Sequence, residues 1–128
     1  MMIKQSINTS SAPAAIGPYS QAIKVEKFLF ISGQLPIDPD TGELVTSDIE
    51  AQTHRVMQNV KAIVEASGGS LESIVKVTIF IKDMTQFSQM NQVYAAYFPG
   101  ERPARSCVEV ARLPRDVGVE IEAVAYLD

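Results

Sequence analysis

At 128 residues and a formal charge of −4, the chain is sized for one domain spanning residues 1–128 and has no overall attraction for a phosphate backbone. Hydrophobic residues make up 46% and charged residues 20%, a mixture that buries a core and excludes disordered or fibrous classes. The longest apolar run, Val93 to Phe98, is six residues against the roughly 18 of a spanning helix, and the opening segment lacks the pattern of a secretory signal, so no membrane partner is expected. The single cysteine, Cys107, makes no internal disulfide, which fits a reducing, cytoplasmic setting.

In chain order, Ser20 to Lys24 and Phe28 to Ser32 are the first strand candidates, and the short Val25 to Lys27 between them predicts a hairpin. Pro36 through Gly42 is rich in turn formers and reads as a loop. Ser47 and Glu50 have the Ser-x-x-Glu spacing of a capping box. Ile49, Val56, Val60, Ile63 and Val64 then recur at helical spacing, and Gly68-Gly69 supplies a left-handed stop, predicting a helix over about 48–67. Ser73 to Lys82 reads as a strand buried on one side, with Val75, Val77, Ile79 and Ile81 alternating against Lys76, Thr78 and Lys82. Asp83 and Gln86 mark another cap. Met84, Phe87, Asn91, Tyr94 and Phe98 fall on one helical stripe that Pro99-Gly100 ends. Ala104 to Val110 and Val117 to Leu127, joined by a Leu-Pro-Arg-Asp turn, close the chain as strands. The order strand, strand, strand, helix, strand, helix, strand, strand predicts an α+β fold, with helices on one face of a mostly antiparallel sheet. The other sheet face needs cover, which a second copy of the chain can supply.

Strand parity groups the reactive side chains. Arg105, Cys107 and Glu109 share one face of their strand; in the last strand Val119, Ile121, Ala123 and Ala125 make an apolar face that leaves Glu120 and Glu122 opposite. A guanidinium grips a carboxylate through two parallel charge-assisted hydrogen bonds, so Arg105 is either an anion clamp or half of an ion pair with Glu109 or Glu120. Glu120 is correspondingly a general base, a water holder or the other half of that pair. Asn91 interrupts an apolar stripe and must find hydrogen-bond partners there, in a structural or a binding role. Cys107 has no base to activate it, because the sole histidine, His54, sits in a different helix; a pocket wall or small core residue is the better reading. One His and one Cys do not make a zinc site, and no Gly-rich phosphate cradle precedes a helix, so neither metal nor cofactor is expected. Residues 102–115 hold Arg102, Arg105, Arg112 and Arg115 against Glu109 alone, a local field that draws small anions.

The string Arg102-Pro103-Ala104-Arg105-Ser106-Cys107-Val108-Glu109-Val110-Ala111-Arg112-Leu113-Pro114 closely resembles the signature of the Rid family of reactive intermediate deaminases, formerly the YjgF family. Ala14 to Gln21, Ile31 to Pro36 and Val119 to Ala123 agree with it, so the likeness runs the length of the chain and is nearest the RidA subgroup. The resemblance implies a chorismate-mutase-like fold assembled as a homotrimer, with active sites in the clefts between subunits. It implies hydrolysis of 2-iminopropanoate, 2-iminobutanoate and their enamine tautomers, released by pyridoxal-phosphate-dependent dehydratases, to 2-keto acids and ammonia. Carried over by position, Arg105 clamps the substrate carboxylate, Glu120 activates water, Tyr19 closes the pocket, Ser32, Gly33 and Asn91 line it, and Cys107 contributes wall and backbone contacts. Two other readings stand beside it: a ligand-sensing module that acts through other proteins, and a ribonuclease, which the acidic charge and single histidine disfavour.

Overall fold

The structure is a computed structural model that describes residues 3–128. Its elements follow the expected order: β1 (Lys4–Ile7), β2 (Ala22–Val25), β3 (Phe28–Gln34), α1 (Ile49–Ala66), β4 (Ile74–Ile81), α2 (Phe87–Ala96), β5 (Ala104–Glu109) and β6 (Val119–Tyr126). The strands form one sheet in the order β1-β2-β3-β6-β4-β5, and both helices lie on one face of it. All pairings are antiparallel except β4 with β5. The short connection between β5 and β6 is therefore not a hairpin: β6 runs up the middle of the sheet between β3 and β4, and β5 is left at the edge.

Helix α1 begins one residue later than the capping-box spacing indicates. Asp48 is the N-cap, its carboxylate accepting from Ala51 N at 2.8 Å, and a negative charge there also suits the positive end of the helix. The glycine stop is as expected. Gly68 takes φ +93°, and Gly69 N reaches back to Val64 O at 3.0 Å. Asp83 caps a 3₁₀ turn at Met84–Gln86 by accepting from Thr85 N at 2.9 Å.

Alternation along the strands decides what is buried. Leu29 and Ile31 of β3, Val77, Ile79 and Ile81 of β4, and Val119, Ile121, Ala123 and Ala125 of β6 pack against Val56, Met57, Val60, Ile63 and Val64 of α1 and Met90 and Tyr94 of α2. Val75 departs from the expected pattern: β4 advances two residues, Ile74 to Lys76, where β6 advances one, so Val75 bulges out at 45% exposure and Ile74 takes the inward place. Among the described residues no element covers the opposite face of the sheet. There Phe28, Phe30, Tyr126 and Val108 are each more than 40% exposed, and the Phe28 ring meets Tyr126 edge-on at 5.2 Å.

Candidate active site

Two cavities, on opposite faces of the sheet, hold the candidate site residues other than Cys107. The first is at the β5 edge. Register pairs Val77 with Arg105 and Ile79 with Cys107, which turns both β5 side chains to the helix side. The Arg105 guanidinium lies 5.0 Å from the centroid of the Tyr94 ring and 5.5 Å from that of Phe87, and donates to Asn91 Oδ1 at 2.6 Å. This accounts for the amide on the apolar stripe of α2: Asn91 receives and aims Arg105. The cleft in front has a volume of about 230 Å³ and is lined by Asn91, Tyr94, Ala95, Arg102, Pro103 and Arg105. Glu109, one of the two acids weighed as a partner for Arg105, instead accepts from Met84 N at 2.8 Å. Cys107 is half-buried against the core, and burial pushes its thiol up despite the opposing charge of Arg105. A neutral thiol is a wall and not a nucleophile.

The second cavity is on the open face. Phe80 pairs with Glu120 and Thr78 with Glu122, so both carboxylates point away from the helices. β3 shifts register beside them, with Ile31 opposite Ala123 but Gln34 opposite Ile121, leaving Ser32 and Gly33 against Glu122 alone. The bulge brings the Gly33 backbone under Glu120. A Cβ at Gly33 would lie 2.8 Å from Glu120 Cδ and overlap Oε2, so the carboxyl occupies the space that any other residue's side chain would fill. Tyr19, 54% exposed, stands on the rim, and the Ser32 hydroxyl donates to Ser20 O at 2.6 Å. The pocket encloses about 690 Å³, with Ile16, Leu35, Ile37 and Pro114 as an apolar wall beside Glu120 and Glu122. Burial raises the Glu120 pKa above the ordinary carboxylate range, and the charge of Glu122 pushes it the same way. A carboxylate made more basic in this way is suited to accept a proton from water.

Within one chain the structure groups Arg105, Asn91 and Cys107 on one side of the sheet and Tyr19, Ser32, Gly33 and Glu120 on the other. Among the described residues no three or more His, Cys, Asp or Glu side chains gather as metal ligands, and no helix is long and apolar enough to cross a membrane. Sequence reasoning assigned no role to Gln21, a buried amide that also lines the Glu120 pocket. Its only signal was its place at the end of the Ala14 to Gln21 string.

The sequence profile of the family described as Endoribonuclease L-PSP matches residues 9–127. The chain belongs to this family, also called YjgF or Rid. Similar family members include a RutC family protein of Pyrococcus horikoshii, 59% identical over 97% of this chain and 98% of its own length. A Salmonella typhimurium member named 2-iminobutanoate/2-iminopropanoate deaminase is 50% identical over 96% of this chain and 98% of its own. The crystal structure of a Thermotoga maritima relative superposes with a TM-score of 0.96 at 55% identity, covering 98% of this chain and 99% of that one. The YjgF/Rid fold expected from the sequence, a mostly antiparallel sheet with two helices on one face, is thus the fold found.

Proposed function

We propose that the protein hydrolyses 2-iminopropanoate, 2-iminobutanoate and related 2-imino or enamine acids to 2-keto acids and ammonia, in the cytoplasm, at sites completed between the copies of a homotrimer. The observation that carries this reading is the state of Arg105: its side-chain acceptor is the neutral amide of Asn91, so among the described residues no carboxylate neutralises its charge beside the cleft. Such a guanidinium suits a substrate carboxylate. The 50% identical Salmonella deaminase supports the reaction class.

In this mechanism Arg105 and Asn91 hold the carboxylate, and Glu120 of a neighbouring copy holds water against the imine carbon. The water oxygen bonds to the carbon of the protonated imine as one water proton passes to Glu120 and the C=N π pair moves to nitrogen, giving a neutral carbinolamine. Glu120 returns that proton to nitrogen, the C–N bond breaks with its electron pair leaving on ammonia, and the hydroxyl proton passes to Glu120 or solvent as the C=O bond of the keto acid forms. The imine carbon is already electrophilic, so most of the catalysis is orientation plus one proton acceptor. Cys107 walls the cleft, and Ser32, Gly33 and Tyr19 shape the pocket around Glu120. The aromatic open face, with Phe28, Phe30 and Tyr126 exposed, supplies apolar surface for assembly. With Glu120 and Glu122 against Arg115, the lining of the pocket is net negative, which makes it a poor seat for a polyanion such as RNA.

The test follows from the separation of the two groups. Ammonia release is measured with a threonine dehydratase supplying the imine, for Arg105→Ala, for Glu120→Gln and for the two co-expressed. Each variant alone is inactive. Random mixing in a trimer whose sites span neighbours leaves about one quarter of sites with both groups intact, so about a quarter of wild-type activity returns. Mixtures as inactive as their parents would rule out a shared site. Normal turnover by Arg105→Ala would remove the clamp, and wild-type protein no faster than buffer would favour the ligand-sensing module.

A further inference from the structure

We propose that Gln21 is a positioning residue for this reaction, a latch that closes the loop carrying Tyr19 onto the rim of the Glu120 pocket; the inference rests on the deaminase reading. Gln21 is 2% exposed, and a buried amide is costly unless its hydrogen bonds are made. Here they are made, all to one segment. Oε1 accepts from Thr9 N at 2.7 Å, and Nε2 donates to Pro13 O at 2.8 Å, Thr9 O at 3.0 Å and Ala12 O at 3.3 Å.

That segment is one foot of a loop. From Ala14 to Tyr19 the chain makes, among the described residues, one backbone hydrogen bond, Tyr19 N to Gly17 O at 2.9 Å. Its side chains give little hold, since Ile16 is 84% and Tyr19 54% exposed. The other foot is fixed by Ser32, whose hydroxyl binds Ser20 O at 2.6 Å and whose N–H binds Gln21 O at 3.0 Å. Both feet therefore meet at Gln21, its backbone holding one and its side-chain amide the other. Release of the amide would leave that foot held only by the buried Ala12 and, further back, by the pairing of β1 with β2, so the loop carrying Tyr19 loosens and the entropy of ordering it would fall on each catalytic cycle.

The experiment compares Gln21→Leu, Tyr19→Ala, the double variant and Val64→Ala, a fully buried α1 residue remote from the pocket whose truncation costs stability without touching the loop. Gln21→Leu is expected to lower kcat/KM for 2-iminobutanoate about tenfold, yet to add less than about twofold in the Tyr19→Ala background, because no tyrosine remains to be placed. Val64→Ala stays within about twofold of wild type. Hydrogen exchange of the Tyr19 amide, which alone among residues 14–19 has a backbone acceptor among the described residues, rises about tenfold in Gln21→Leu. Additive losses, an equal loss in Val64→Ala, or unchanged exchange would each overturn the latch. If wild-type protein releases no ammonia the deaminase reading falls, while the exchange measurement still decides whether the amide holds the loop. Should Gln21→Leu fail to fold, Thr9→Pro deletes the N–H that Oε1 accepts, together with the Thr9 hydroxyl that accepts from Ser11 N, and is expected to give the same pattern at about a threefold effect, with Thr9→Ala, which removes the hydroxyl alone, as its control; no change in either readout overturns the proposal.

Discussion

The cleft at Arg105 and the pocket at Glu120 are built by opposite means. The cleft is small, about 230 Å³, and regular: a straight edge strand and one helix place a guanidinium over two aromatic rings and against an amide. The pocket is three times as large at about 690 Å³ and rests on irregularity: a bulge at Ser32-Gly33, a glycine under the acid, and a loop tied down by a side-chain amide. In the proposed reaction, regular structure fixes the group that binds, whereas the exception in the sheet fixes the group that does chemistry. Substitutions in the two regions should therefore fail differently, in KM for the cleft and in kcat for the pocket.

Gly33→Ala is the sharpest way to break this contrast. A methyl group 2.8 Å from Glu120 Cδ displaces the carboxyl, and loss of a positioned general base is expected to lower kcat about a hundredfold. The dissociation constant for 2-ketobutanoate, read by calorimetry, should hold within about twofold because Arg105 is untouched. An unchanged kcat would mean that the Glu120 pocket is not where water is activated.

Phe87→Leu probes the other side. It removes one of the two rings beneath the guanidinium, 5.5 Å from Arg105, while keeping an apolar side chain on α2. At about 0.5–1 kcal/mol for a partly exposed cation–π contact, KM should rise about two- to fivefold with kcat unchanged. Initial-rate kinetics settle the split, and a fall in kcat alone would show that the two regions are not separable.

The sequence carries these regions unequally. The register of α1 is legible because its apolar residues repeat and glycines end it, although Asp48 rather than Ser47 makes the cap. The faces within β5 and β6 are legible from parity alone. Their relation is not: β5 pairs in parallel with β4 at the edge, and no local pattern announces that Arg105 and Glu120 then point to opposite sides of one sheet. The expected order holds three strands before α1 but only two have a residue range, because β1 is short and polar, held by pairing with β2 and not by a buried face, so nothing local marks Lys4–Ile7. The bulge at Ser32-Gly33 escapes for a different reason. It exists only as a mismatch between β3 and β6, which come together from opposite ends of the chain.

The smallest expected effect tests the electrostatics of the pocket. Burial, and then the negative charge of Glu122, hold the Glu120 pKa above that of an ordinary carboxyl group. The proposed mechanism requires Glu120 ionised, so the acid limb of kcat/KM is expected to follow this raised pKa, with activity lost as pH falls through it. Glu122→Gln removes the like charge and leaves the burial. The limb should therefore move to lower pH yet stay above the ordinary carboxylate range, with the neutral-pH plateau unchanged. A limb that moves to higher pH, or does not move, would mean that the group titrating in the acid range is not Glu120.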